Sequence, residues 1–197
     1  MRDEKFICCQ PDDTYYTWQV HMWLESLRNL NLSHKAIVLI FVPNFREQNK
    51  NWQKIINLYP EAEFYFQKDE DNINNLISLY IPIIRPYTLH KYFEKNPQLK
   101  DDAIFYCDSD ILFTDKFNIN EFLEDDVCYL SNTNSYINSD YINNKVNDCI
   151  PEKRDQLLQI DVLQCLTSYV GINKEIAESN KEHSGGAQYL LKNIDAD

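Results

Sequence analysis

The sequence predicts an α/β fold: a mostly parallel central sheet with helices on both faces. Three observations point to it. Short apolar runs alternate with segments whose apolar residues recur at helical spacing, the β-α-β-α-β order of a parallel sheet. One run, Ala36 to Val42, is apolar throughout, as expected of a strand covered on both faces. The chain has 197 residues, 44% of them apolar, which fits one domain of ordinary size with a sizeable core.

The elements follow in order. Phe6 to Cys9 reads as the first strand. Tyr16, Val20, Trp23, Leu24, Leu27 and Leu30 then form a helical stripe, with Asp13 or Thr14 placed to cap its start. Ala36 to Val42 is the second strand, ended by Pro43. Trp52, Ile55, Ile56 and Tyr59 make a second helical stripe, and Ala62 to Gln67 a third strand. Arg85-Pro86 opens a helix that runs to about Glu94, proline being suited to a first turn. Ala103 to Cys107 is a fourth strand that leads directly into Asp108. Beyond it, Val127 to Leu130 reads as a strand, and Pro151 to Leu166 and Lys174 to Asn180 as helices. Trp18 and Trp23 are assigned to the core. The halves 1–115 and 116–197 are taken as the nucleotide-binding and acceptor-side parts of a single domain.

Charge narrows the partners. Nineteen Lys and Arg face 31 Asp and Glu, a net charge of -12. That balance disfavours sequence-blind binding to nucleic acid, which needs clustered cations. Any anionic ligand must be met locally, by a metal or by a few placed donors. No run approaches the ~20 apolar residues of a membrane span. The start, MRDEKFICCQ, has too short an apolar stretch for a signal peptide, so a cytoplasmic location is expected. The six cysteines form no CxxC pair. Cys8, Cys9 and Cys107 lie in apolar strands and are expected to be reduced and buried.

Ligands of parallel α/β sheets sit beyond the carboxyl ends of the strands. Three polar clusters fall there: Gln10 to Asp13, Asp69 to Asn75, and Asp108 to Asp110. In AIFYCDSDILF, two aspartates separated by one serine interrupt an apolar strand. Side chains two apart on an extended segment share a direction, and a tight turn also brings both to one point. Two adjacent carboxylates repel each other, and a divalent cation removes that conflict. Mn²⁺ or Mg²⁺, which prefer oxygen ligands, would bridge Asp108 and Asp110 to a diphosphate. The competing structural reading is a plain Asp-Ser-Asp turn. The chain has only three glycines, and two are adjacent, Gly185-Gly186. With Ala187, Leu190, Leu191 and Ile194 following, the pair is read as a helix start whose free N–H groups meet an anion or a sugar hydroxyl, with Gln188 in the first turn. An ordinary tight turn is the alternative.

Five blocks in order, CCQP..TYYTWQ, IIRPYTLHKYFE, FYCDSDILFT, YLSNTNSYINSDYI and SGGAQYLLK, resemble a family of GT-A glycosyltransferases of bacteria, phages and large viruses. The resemblance implies a Rossmann-like GT-A fold, a divalent metal (usually Mn²⁺) and transfer of a sugar from a nucleoside diphosphate sugar, a UDP-sugar by expectation. It implies that Asp108 and Asp110 hold the metal and that Ser109 approaches the ribose. Gln10 and Pro11 match the loop that touches base and ribose. Tyr15 stacks on the base or, alternatively, packs as a helix-cap aromatic. Arg85 reaches the diphosphate or braces the aspartates, a surface salt bridge being the alternative. Gly185, Gly186 and Gln188 match the loop lining the donor sugar, and Gln188 and Asp110 take the catalytic roles. A glycan or protein acceptor suits the acidic charge better than nucleic acid.

Family members use a further metal ligand, commonly His, well after the DxD, and continue past the point where this chain stops. The chain is therefore read as a truncated product, a degenerate copy or an excised domain, with the acceptor-side half the part cut short. An inverting reaction needs a carboxylate base. Asp140 and Asp161 are available, though each reads as a surface or capping residue; a retaining reaction dispenses with the base. His21, His34 and His90 have no acidic or Cys partners at ligand spacing; His183, just before the glycines, reads as a surface residue, with lining the site as the alternative. A metal-dependent nucleotidyltransferase is the competing enzyme class, but it would show a Gly-rich basic loop after the first strand, and QPDDTYY has neither glycine nor a basic residue. A non-catalytic nucleotide-sugar-binding remnant is the third reading.

Overall fold

The computed structural model describes residues 3–73, 81–115, 119–133, 138–169, 171–183 and 185–194. Among them are six strands: β1 (Glu4–Pro11), β2 (Ala36–Val42), β3 (Glu63–Lys68), β4 (Ala103–Tyr106), β5 (Tyr129–Asn132) and β6 (Gly185–Lys192). The helices are α1 (Thr14–Asn29), α2 (Trp52–Leu58), α3 (Ile84–Lys95), α4 (Ser139–Asn147), α5 (Pro151–Leu158), α6 (Val162–Tyr169) and α7 (Lys174–Ser179). The strands form one sheet in the order β3-β2-β1-β4-β6-β5. β1 pairs in parallel with β2 and β4, β2 in parallel with β3, and β6 antiparallel with β4. The fold is α/β, with a mostly parallel core.

Alternation along β1 sorts the side chains. Phe6 and Cys8 join the side of the sheet that carries Val20, Trp23, Leu24 and Leu27 of α1 and Trp52 and Ile55 of α2. Ile7 and Cys9 join the opposite side, where Ile84, Tyr92 and Phe93 of α3 pack. β2 is buried along its whole length, as its unbroken apolar run requires. Asp13 caps α1 by accepting a hydrogen bond from the Tyr15 amide at 2.8 Å. Cys8, Cys9 and Cys107 are buried free thiols; burial pushes Cys9 and Cys107 up to about 12, so neither is a nucleophile at neutral pH.

Two compact units are distinguishable. One comprises Met1–Tyr129 and Tyr189–Asp197, the other Leu130–Gln188. In the second, the single helix expected over Pro151 to Leu166 is two, α5 and α6. The Asp161 side chain accepts from the Gln164 amide at 2.9 Å and so starts α6 anew. Gly171, in the left-handed region at φ +78, follows α6, and Ile172 N–H returns to the Thr167 carbonyl at 3.0 Å.

The helix expected after Gly185-Gly186 is also corrected: Gly185–Lys192 is strand β6. The residues behind that expectation serve two faces. Leu190 packs with Ala103, Ile119 and Leu123, whereas Tyr189 and Leu191 pack on the α3 side of the sheet. A strand buried on both faces has no single stripe, and a short run of that kind mimics helical spacing. A Cβ built on Gly185 would fall inside the van der Waals shell of the Leu130 Cβ, with Leu130 Cγ and Cδ2 each at 3.2 Å. Close approach is what the glycine allows, and its partner is Leu130.

Candidate active site

The strand order reverses direction at β1. From it the chain builds outward through β2 to β3, then crosses back to place β4 on the other side of β1. In an open parallel sheet, such a switch point leaves a crevice at the carboxyl ends of the two diverging strands. The Asp108-Ser109-Asp110 turn lies at the carboxyl end of β4, and the Cys107 amide still donates to the Ile7 carbonyl of β1 at 3.1 Å. β1 itself runs on past β4, and its last residues, Gln10 and Pro11, pair with Ile40 and Phe41 of β2.

Each residue of the turn has a distinct environment. The Asp108 Oδ1 lies 3.0 Å from Arg85 Nη2, on the first turn of α3. The contact is ionic without being an aligned hydrogen bond, since the same buried Oδ1 has no hydrogen-bond partner among the described residues. Burial raises the Asp108 carboxyl above the ordinary carboxylate range; the Arg85 charge opposes that rise and the Asp110 charge adds to it. Asp110 is exposed. The Ser109 hydroxyl is buried and donates to Gln19 Oε1 of α1 at 3.3 Å. Beyond the turn, Ile111 and Phe113 pack into the α1 side of the core, and the Phe113 amide donates to Ser26 Oγ at 3.2 Å, which fixes the turn against α1.

Of the residues selected from sequence, the first unit holds Gln10, Pro11, Tyr15, Arg85, Asp108, Ser109 and Asp110; Gly185, Gly186 and Gln188 belong to the second. Gln10 is buried, whereas Tyr15 is 56% exposed. Arg85 lies against Asp108. The Asp12 and Asp69 side chains each hold a loop amide. Both Asp12 carboxylate oxygens accept from the Asn49 amide, at 3.2 and 2.9 Å, and Asp69 Oδ1 accepts from the Ile73 amide at 2.8 Å. Asn74 and Asn75 lie outside the described residues. Asp140 pairs with Lys181 at 3.1 Å and Asp161 with Lys174 at 2.5 Å, in keeping with surface and capping roles.

Trp18 corrects the sequence reading: it is 53% exposed, not core. The buried stripe of α1 is Val20, Trp23, Leu24 and Leu27, and Trp18 lies on the helix's opposite side. Gln19 was not singled out from sequence either; its place one turn after Tyr15 was the available signal.

Asp108 and Asp110 are the residues that can hold a divalent cation here. A buried carboxylate oxygen without a hydrogen bond, beside a second carboxylate, is a donor set suited to Mn²⁺ or Mg²⁺. Among the described residues no group of three His, Cys, Asp or Glu gathers for metal binding. The protein share of such a site would be these two carboxylates, with phosphate and water completing it.

No protein-family model matches the chain, and no curated protein matches it. Among solved structures, the chain is similar to core-mannan synthase A from Aspergillus fumigatus in its Mn/GDP form, at 10% identity and a TM-score of 0.39. The similarity covers 98% of this chain and 60% of that one, so the chain spans 60% of that synthase chain's length. Among the described residues, no helix is long and apolar enough to cross a membrane.

Proposed function

We propose that the chain is a metal-dependent glycosyltransferase that moves a sugar from a nucleoside diphosphate sugar, a UDP-sugar by expectation, to a glycan or protein acceptor. The observation that carries this reading is the Asp-Ser-Asp turn at the β1/β4 switch point, where one aspartate keeps a buried oxygen that accepts no hydrogen bond.

Asp108 and Asp110 present carboxylate oxygens to a Mn²⁺ or Mg²⁺ ion. Held there, such an ion would supply the positive charge that a departing diphosphate needs. Arg85 supplies the second positive charge. Its guanidinium is already desolvated in part against Asp108 and is suited to bidentate phosphate contacts. In a protein of net charge -12, these local cations decide whether a diphosphate is held at all. Gln10 and Pro11, at the end of β1, border the base and ribose. Ser109, tied to Gln19, keeps the two aspartates in a fixed turn. The proposal draws on the first unit alone.

Calorimetric titration of UDP in the presence and absence of Mn²⁺ tests it. Mn²⁺-dependent binding that disappears in Asp110→Asn is the expected result. Equal affinity with and without the metal, in parent and variant alike, refutes the reading. A panel of nucleotide sugars assayed for Mn²⁺-dependent release of the diphosphate then identifies the donor.

A further inference from the structure

We propose that the exposed Tyr15–Trp18–Met22 face of α1 is the platform on which a neutral glycan acceptor stacks, an inference that rests on the glycosyltransferase reading above. Tyr15, Trp18 and Met22 are 56%, 53% and 44% exposed. Their spacing, i, i+3 and i+7, puts them on one helix face, opposite the stripe that packs on the sheet. Of the chain's three tryptophans, Trp23 and Trp52 are fully buried, so Trp18 is the one left in water. A run of large apolar side chains on a helix that already has a complete buried face marks a surface for recognition.

The geometry suits a sugar ring. Tyr15 and Trp18 stand at 88° with centroids 5.9 Å apart, forming an L-shaped corner. A pyranose has one face of C–H groups with partial positive charge, which is attracted to the negative face of an aromatic ring. The perpendicular ring walls the bound sugar, and the Tyr15 hydroxyl and the Gln19 amide offer hydrogen-bonding groups to its rim.

Charge selects the ligand class. From Thr14 to Leu27 the helix carries no lysine or arginine, and the whole chain is at -12. A nucleic acid strand, an anionic lipid surface or an acidic polysaccharide would meet no Lys or Arg on that stretch of the helix. A neutral saccharide needs none. The platform also joins the site already described. Gln19 Nε2 donates to the Tyr15 hydroxyl at 3.5 Å, and Gln19 Oε1 accepts from the Ser109 hydroxyl at 3.3 Å. Two hydrogen bonds therefore link the aromatic corner to the turn that carries the metal-binding aspartates.

The lone exposed tryptophan supplies the assay. Acrylamide quenching of tryptophan emission reads Trp18 selectively, because Trp23 and Trp52 are shielded. The probes are cellotetraose, chitotetraose, mannotetraose and maltotetraose, each with Mn²⁺ and UDP present. At least one is expected to protect the quenchable fraction. By calorimetry, Trp18→Ala should weaken that saccharide about tenfold or more, the order of one lost aromatic stack. Trp18→Phe, which keeps a ring, should recover most of the affinity. Mn²⁺-dependent UDP binding should persist in both variants. The proposal is overturned if no tetrasaccharide protects Trp18, if Trp18→Ala binds the saccharide as the parent does, or if UDP alone shields Trp18, which would give the platform to the nucleobase. Protection by a saccharide in a protein that does not bind UDP would instead remove the glycosyltransferase reading and leave the platform standing.

Discussion

Replacing Gly185 by alanine should destabilise the protein through Leu130. The new methyl group would sit well inside the ~3.5–4.0 Å at which carbon atoms rest against each other. Its principal obstacle is the Leu130 Cβ, which cannot rotate away as a side-chain tip can. Overpacking of this kind costs about 1–3 kcal/mol. An opposing effect exists: Gly185 is in a strand without a positive φ, so alanine restricts the unfolded chain and returns about 0.4–1 kcal/mol. The overlap wins, leaving a net loss of about 1–2 kcal/mol. For a chain of this size that is a fall in Tm of roughly 2–8 °C. Thermal melts of a double-mutant cycle isolate the cause. Leu130→Gly removes the opposing Cβ and should recover most of the loss in the double variant, whereas Leu130→Ala keeps it and should recover less. Leu130 is itself 51% exposed, so its truncation alone costs little. A Gly185→Ala protein that melts at or above the parent temperature refutes the reasoning.

Asp110→Asn should also abolish ligand stabilisation: UDP at a hundredfold over its Kd with Mn²⁺ raises parent stability by about 2.7 kcal/mol, and the variant should show no shift in the same melt. Arg85→Gln should weaken Mn²⁺-dependent UDP binding about tenfold or more in calorimetry, from loss of a charge-assisted contact; unchanged affinity would confine Arg85 to bracing Asp108. Acid should loosen the 125–129 segment. The Lys192 ammonium, fully buried, lies 2.5 Å from Asp125 Oδ1, and together with the Tyr129 hydroxyl it lowers the Asp125 carboxyl from 3.8 to about 2. A depressed carboxylate gives stability that is whole above 3.8 and is lost as pH falls toward about 2. Asp125→Asn should remove that acid step and lower Tm at neutral pH, and an unchanged acid profile would refute the pairing. Thiol titration of unfolded, unreduced protein should count six free cysteines; four or fewer in protein kept from air would contradict it.

Much of the first unit was legible because its signals are local. Ala36–Val42 is apolar at every position, as a strand covered on both sides is, and Asp13 or Thr14 stands ahead of an apolar stripe at helical spacing, where a cap belongs. The Asp-Ser-Asp turn was visible because it broke an apolar run, and its place at the carboxyl end of β4 followed. What failed depended on partners distant in sequence. Nothing in GGAQYLLK says that its leucines divide between two faces of a sheet, or that Gly185 lies against Leu130. The side of α1 on which Trp18 stands follows from which stripe the sheet accepts, Val20, Trp23, Leu24 and Leu27. Asp12 and Asp69 lie in polar clusters at strand ends, and the loop amides they accept, from Asn49 and Ile73, are not legible in those clusters.

The antiparallel pairing of β6 with β4 carries a consequence for how the protein is made. β4 ends at Tyr106, but its second neighbour is supplied by residues 189–192. During translation, β1, β2, β3 and β4 can pair as soon as they emerge, and one side of β4 then stays open while more than eighty further residues are added. That open side offers unpaired backbone groups to any other nascent strand. A ribosome stalled before residue 189 would thus hold a chain with its aspartate turn complete and the strand beneath it unsealed. Arrest sequences placed on either side of that point, with protease sensitivity near β4 as the readout, would show whether protection arrives only after Lys192 has cleared the exit tunnel.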